Sequence, residues 1–423
     1  MPLLSASPVL RRDIGGLGAA FIALNGVIGA GVFAMPQALA AGVGAASPYL
    51  ILVFGAPMIV IAFAFGLLAA RSEATGGPVA YASDAFGPTA GFSVGWLYYL
   101  ARLASTAANA NALLTYLAVF APGLDQGLAR LAMLLLLLGG LTALNVAGVK
   151  GAVRTLSWVT ALKLAPLAAL VIAGLMAFPP PAPQTPSDAA AVGGVSLLLL
   201  YAFVGFEMAT LTAGETRGAR RALPWALVGT VAAMTVLYFL VQLSYVAVMQ
   251  GRAPGEGQAP LAAAAEILFG PIGALAIAAA ALISIGGNLL ASAIVTPRLT
   301  FAMAEDGTLP RWFGAVSARF HTPANSILAF GAVAMLLAMS SAFVWLAAMA
   351  ALARMFVYLV CMGALLRQAR TAHGLWGYAL AGVGAGLCIW AIAQAKPDAW
   401  IFLATFSALG AAVYVIARRR AAT

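Results

Sequence analysis

Asn25-Gly26-Val27-Ile28-Gly29-Ala30-Gly31-Val32-Phe33-Ala34-Met35-Pro36 lies in the middle of the first apolar segment of the chain. Three glycines within six residues, followed by a proline five further on, disfavour a continuous helix. Each interior Gly costs about 1 kcal/mol relative to Ala, and Pro removes a backbone donor. The flanks, Ile14 to Leu24 and Val32 to Ala41, are nevertheless apolar enough to lie in a membrane. A helix that opens at bilayer depth exposes amides and carbonyls that are strongly unfavourable in hydrocarbon unless protein, water or a ligand satisfies them. The stretch is therefore a candidate binding site. The competing reading is a glycine-rich face at which helices pack closely.

Composition supports the membrane setting. With 423 residues, 63% of them hydrophobic and 8% charged, and a mean hydropathy of +1.01, the chain reads as a polytopic membrane protein, because a soluble fold could not hide so much apolar surface. The two cysteines, Cys361 and Cys388, fall inside apolar spans, which argues against a disulfide framework or a zinc site. Met1 to Asp13 lacks a small-residue cleavage site before a short apolar core, so no removable signal peptide is expected.

Apolar runs long enough to span fall at about 14–41, 43–70, 89–121, 127–147, 155–178, 193–213, 223–249, 271–303, 323–340, 342–366, 373–393 and 398–417, at roughly 20 residues per crossing. Twelve crossings put both termini on one side. Of the 22 cationic residues, sixteen, from Arg11 and Arg12 to Arg418, Arg419 and Arg420, then share that side. Three, Arg130, Arg252 and Lys396, lie opposite, and three are embedded. The asymmetry predicts cytoplasmic termini. It also explains the net charge of +10 without nucleic-acid binding.

Phe178 to Pro186 reads as an extended, polyproline-like external linker dividing the first five spans from the sixth. The expected organisation is a cytoplasmic N-terminus (1–13), a first five-helix repeat (14–178), the linker (179–192), a second five-helix repeat (193–366), two further helices (367–417) and a cytoplasmic C-terminus (418–423). If the sixth span corresponds to the first, its interruption falls in Tyr201-Ala-Phe-Val-Gly-Phe-Glu-Met208, where Gly205 is also readable as a packing contact. Paired interruptions in two halves point to a transporter site: the positive end of a half-helix faces an anionic group, and unwound carbonyls face a cation. An amino acid carries both charges.

At these residues the chain resembles the amino acid–polyamine–organocation family of permeases, whose fold is the LeuT type. The resemblance covers nearly the whole chain. It rests on Ile28-Gly29-Ala30-Gly31-Val32-Phe33, on Gly76-Gly77-Pro78-Val79-Ala80-Tyr81 leading to Phe86-Gly87-Pro88, on Gly95-Trp96, on Gly205-Phe206-Glu207, and on Pro297-Arg298 through Met303-Ala304-Glu305-Asp306-Gly307-Thr308-Leu309-Pro310. Family members often have Ser or another small residue where Ala30 stands and a basic residue where Glu305 stands. The resemblance implies an all-α fold of twelve transmembrane helices: a five-plus-five inverted repeat with broken first and sixth helices, then two C-terminal helices. It further implies a substrate site at the two unwound segments, Val27, Ile28, Gly29, Ala30 and Gly31 with Ala202, Phe203, Val204 and Gly205. The amides of Gly29, Ala30 and Gly31 would hold the substrate carboxylate. The carbonyls near Val27 and of Ala202, Phe203 and Val204 would meet its ammonium. Phe203 would be an aromatic gate, and Tyr98, Tyr99 and Leu103 are pocket-flanking or ordinary core residues.

Charges embedded in spans cost about 2.5–3.5 kcal/mol on insertion scales and point to function. Lys163 has no acid near it in sequence. It matches the fifth-span lysine that replaces a sodium ion in proton-coupled members of the family, and it also fits a lysine snorkelling to the interface. Glu207 can accept amides freed by the second break or relay a proton. Arg354 resembles an arginine often seen in the tenth span of family members, which implies an ion pair or carbonyl cap. Arg102 either faces a cavity, meeting a substrate carboxylate or Glu207, or pairs elsewhere. Asn109 and Asn111 lie on different helix faces, so one at most lines a cavity.

The expected function is proton-coupled transport of amino acids, with neutral or hydrophobic ones favoured, by alternating access in the inner membrane. An exchanger or exporter of amino acids or amines is the alternative, and a channel or a non-transporting sensor is a further one. The expected partners are the amino acid, a proton and the lipid bilayer, with no cofactor and no metal. An enzyme is not expected, because His321 and His373 stand at loop positions and form no catalytic or metal constellation.

Overall fold

A computed structural model describes residues 14–71, 76–148, 156–182, 184–185, 188–255, 258–340, 342–372 and 374–422. The first span is three pieces: α1 (Gly16–Val27), a four-residue α2 (Gly31–Ala34) and α3 (Pro36–Val43). Then come α4 (Ser47–Arg71), α5 (Pro78–Phe86) and α6 (Pro88–Leu117). A π-helical turn, Leu135–Gly139, joins α7 (Gly127–Leu134) to α8 (Gly140–Ala147). After α9 (Leu156–Ala177), α10 (Ala189–Phe203) is started by Asp188, whose carboxylate accepts the Ala190 amide at 3.0 Å, a side-chain cap. It gives way to a 3-10 helix, Phe206–Glu215. The rest is α11 (Ala219–Met249), α12 (Pro260–Glu305), α13 (Ala324–Ala338), α14 (Phe343–Ala372), α15 (Gly374–Ala393) and α16 (Pro397–Ala422). The sequence expected one crossing to start near residue 271. Within α12 the backbone leaves the helical region at Gly270 (φ 66°, ψ −163°), so a short helix over 260–269 precedes one that starts at Pro271, where the crossing was expected and where a missing donor is tolerated.

Nine stretches among the described residues are long and apolar enough to cross a membrane. The chain is thus an all-helical polytopic membrane protein. Two other elements expected to cross behave differently. The helix α13 supplies only a short apolar stretch, Ala324–Ala338. The helix α6 is buried along most of its length and carries Arg102, Asn109 and Asn111 inward. Outward-facing residues such as Leu17, Leu136, Met176, Ile272 and Trp376 are exposed and apolar, as a lipid-facing surface requires.

Without a hydrophobic drive between helices in lipid, close approach at small residues holds such a bundle together. A Cβ on Gly55 would lie 2.4 Å from Thr235 Cγ2, and one on Gly66 would lie 2.4 Å from Pro224 Cα, so α4 and α11 nearly touch. Gly77 opens α5 at φ 52° and approaches Thr210 and Leu211 so closely that a Cβ would lie 2.8 Å from Thr210 Oγ1. That anchors α5 on the 3-10 helix Phe206–Glu215; the side of the protein that carries α5 is called the α5 face below.

Candidate functional site

The first span opens where its sequence placed the break. Helix α1 stops at Val27, Ile28 takes φ −78° and ψ 87°, and α2 starts at Gly31. The second opens at Val204 (ψ 151°) and Gly205 (φ 114°). The two breaks meet backbone to backbone. A Cβ on Gly26 would lie 2.3 Å from the Gly205 carbonyl oxygen, and one on Gly205 would lie 2.2 Å from that of Gly26. Gly205 is thus required twice, by its positive φ and by this contact. The sequence marked Gly26 only as one glycine of three.

At the first break, side chains from α6 and α12 satisfy the open backbone. The Ala30 amide donates to Asn109 Oδ1 at 3.1 Å, which also accepts the Tyr201 hydroxyl at 3.3 Å. Asn109 Nδ2 donates to Asn288 Oδ1 at 2.9 Å, and Asn288 Nδ2 donates to the Asn25 and Gly26 carbonyls at 3.2 and 3.4 Å. The Gly29 amide turns back to the Val27 carbonyl at 2.9 Å, which accepts the Tyr238 hydroxyl at 3.3 Å. Two of the three amides expected to hold a carboxylate are therefore held by the protein itself. Below this pair, Thr106 and Ser292 are 2.7 Å apart and Arg102 Nε lies 3.4 Å from Thr296 Oγ1. Residues 102, 106 and 109 of α6 thus face 296, 292 and 288 of α12, forming a polar ladder one helical turn per rung.

At the second break the partner is charged. Glu207 Oε2 accepts the Gly205 amide and the Tyr358 hydroxyl, each at 2.8 Å, and Oε1 lies 3.2 Å from Arg354 Nε. Arg354 Nη1 donates to Ser105 Oγ at 2.9 Å, and its guanidinium stacks 5.9 Å from the Tyr98 ring. Both charged side chains are at most 2% exposed. Glu207 therefore accepts a freed amide, and Arg354 makes an ion pair.

Other expected residues are distributed as follows. Phe203 is buried and packs on Tyr238 at 6.1 Å. Tyr99 and Leu103 pack with Phe330 and Ala334 of α13, so they are core residues turned away from the breaks. Asn111 donates to the Ala107 carbonyl and accepts from Arg130, leaving Asn109 as the asparagine that reaches the site. The side chain of Lys163 lies outside the described residues, although its helix α9 packs on α11 and α12. Ile28, Ala30, Ala202, Phe203 and Val204 are all buried. Among the described residues, cavities of 300 to 440 Å³ are lined by residues away from the unwound segments. Embedded charge does not point to Asn288, Thr106 or Thr296, and Ser292, which the sequence offered with Ser284 as an eighth-span neighbour of Lys163, faces Thr106 instead. Their signal was helical spacing of polar residues in two apolar spans.

A family model described as amino acid permease matches residues 14–422. An uncharacterized transporter of Mycobacterium tuberculosis is 31% identical over 282 residues, 65% of this chain and 61% of that protein. The match thus spans less than two thirds of that relative's length. A D-serine/D-alanine/glycine transporter of Escherichia coli is 25% identical over 348 residues, 78% of this chain and 73% of the relative. A provisionally named arginine/ornithine antiporter of Bacillus subtilis is 27% identical over 296 residues, 62% of this chain and 63% of the relative.

Proposed function

The chain belongs to the amino acid permease family, and on that premise we propose that it is a secondary transporter of amino acids rather than an enzyme, working by alternating access. The observation that carries this reading is the crossing of two interrupted helices at Gly26 and Gly205, with the Ala30 amide held by an exchangeable side chain, Asn109. A substrate carboxylate takes the place of Asn109 Oδ1 at Ala30 and reaches the Gly31 amide at the start of α2. The ammonium takes the carbonyls of Val27, Ala202, Phe203 and Val204. A neutral amide–amide hydrogen bond contributes only about 1 kcal/mol net, so the exchange is energetically small. Residues 27–31 and 202–205 are mostly apolar and buried, which favours neutral or hydrophobic side chains, with Phe203 closing over the ligand.

The reciprocal contact of the breaks supports two inverted halves, 14–178 and 193–366, joined by the linker 179–192 and followed by 367–417 in a twelve-crossing fold. The distribution of basic residues favours the cytoplasmic side of the inner membrane for the termini, residues 1–13 and 418–423. Among the described residues no cluster of acidic or metal-ligating side chains is present. We assign coupling to H⁺, with Lys163 changing protonation as α9 moves against α12, and Glu207 as the anchor of the second break. Thermal-shift screening of the purified protein against the twenty amino acids tests the substrate class. Tight binding of a polyamine and of no neutral amino acid overturns it. Radiolabelled uptake into liposomes under separate pH and sodium gradients tests coupling. The pH gradient should drive accumulation in the wild type and fail to do so in Lys163→Gln, while binding survives. Sodium-driven accumulation defeats the assignment. The Bacillus subtilis relative's name favours exchange as the second reading; efflux strictly dependent on external amino acid would establish it.

A further inference from the structure

On the α5 face, a cavity of 440 Å³ is lined by Tyr98, Arg102, Thr296, Arg298, Met303 and Asp306, among others, a volume within the roughly 300–1,000 Å³ typical of small-ligand sites. Arg102 is 4% exposed, and its hydrogen bonds are poor. Nε is 3.4 Å from Thr296 Oγ1, Nη1 is 3.4 Å from the thioether of Met208, a weak acceptor, and Nη2 has no partner among the described residues. Glu207, the acid of the neighbouring break, is committed to Arg354, Tyr358 and the Gly205 amide. Arg298 is engaged too, donating to Asn145 Oδ1 at 2.8 Å and to the Ile294 carbonyl. A buried guanidinium without a counter-charge is unfavourable, and the group that suits its planar fork best is a carboxylate.

We propose that this cavity is a second binding site, for an amino acid on its way between the helix breaks and the α5 face, with Arg102 holding its carboxylate. The assignment rests on the transport reading above. Asp306, exposed at the end of α12, gives the cavity a negative mouth opposite its positive floor. That polarity matches a zwitterion entering carboxylate first and disfavours a simple inorganic anion. The path from the breaks is short. Met208 Sδ lies 3.4 Å from both Arg102 Nη1 and the position a Gly26 Cβ would take. The ladder of Asn109–Asn288, Thr106–Ser292 and Arg102–Thr296 runs alongside from the Ala30 amide to the cavity. A carboxylate leaving Ala30 thus meets polar groups at every turn until it reaches a full positive charge.

The test uses the full-length protein carrying Ala302→Cys, a cavity-lining position; the native Cys361 and Cys388 are both buried. L-Alanine and propionate should each slow alkylation of this cysteine by a maleimide, whereas ethylammonium should not. Protection should be lost with Arg102→Gln and partly kept with Arg102→Lys, both checked for an unchanged elution profile. In oriented liposomes, Arg102→Gln should raise the half-saturating L-alanine concentration on the α5 face by about ten-fold or more and leave the opposite face nearly unchanged. Protection that survives in Arg102→Gln, or chloride protecting as well as propionate, overturns the proposal. Wild-type liposomes that move none of the twenty amino acids defeat the transport reading instead, and propionate protection reports separately on the cavity.

Discussion

At the first break the open backbone is met by neutral amides, Asn109 and Asn288, whereas at the second it is met by a carboxylate, Glu207, that also holds Arg354 and Tyr358. The sequence offers the reason. Three small residues, Gly29, Ala30 and Gly31, make the first opening flexible, while a single glycine makes the second, and a side chain two residues on closes the amide it frees. Neutral hydrogen bonds are exchangeable at about 1 kcal/mol each. Removing one member of a buried ion pair costs about 3–5 kcal/mol, because the other charge is left uncompensated. The first break is therefore the half that can trade partners with a ligand, and the second is the half that stays put.

The contrast is broken most severely by Glu207→Ala. It leaves Arg354, Tyr358 and the Gly205 amide without their shared acceptor and should cost about 3–5 kcal/mol, read as loss of the monodisperse peak in size-exclusion chromatography; a wild-type melting profile would show that the second break is not anchored. Next comes Gly205→Ala, which adds a Cβ 2.2 Å from the Gly26 carbonyl oxygen at φ 114°. Left-handed strain of about 1–2 kcal/mol with overpacking of about 1–3 kcal/mol should lower the melting temperature markedly.

Asn109→Ala sharpens the comparison from the other side. It should cost about 1–3 kcal/mol in the empty protein and less when an amino acid is bound, so the ligand-induced thermal shift should grow; an unchanged shift would mean that Ala30 is not where the carboxylate sits. The smallest structural effect is expected of Gly31→Ala. A Cβ there meets Ala202 Cα at 3.6 Å, an ordinary contact, so the empty protein should melt within about 1 kcal/mol of wild type while amino acid affinity falls several-fold. Normal affinity in this variant would reduce the glycine-rich segment to a packing face.

How much was legible follows from which interactions are local. Glycine density and Pro36 mark the first break because backbone cost is written in consecutive residues. Gly205 beside Glu207 marks the second more faintly, since one glycine is also what close packing uses. The meeting of Gly26 with Gly205 was not legible, because nothing in either segment names its partner 179 positions away. The ladder was half legible: 102, 106 and 109, and 288, 292 and 296, each repeat once per turn, yet only their pairing across α6 and α12 separates a lined seam from scattered polar residues. The resemblance to relatives marked Arg354 as an ion pair or carbonyl cap, and Glu207 as its partner emerged only in three dimensions.

The contact between Gly26 and Gly205 has a mechanical side. Side chains in contact can absorb a shift by changing rotamer, but two peptide units pressed together have no such slack. A tilt of one interrupted helix must be passed to the other at this point as rotation about it, so the pair acts as a fulcrum. A fulcrum of bare backbone admits no side chain on either arm: a Cβ at either glycine meets the other's carbonyl oxygen, and no change of the partner's side chain relieves that contact.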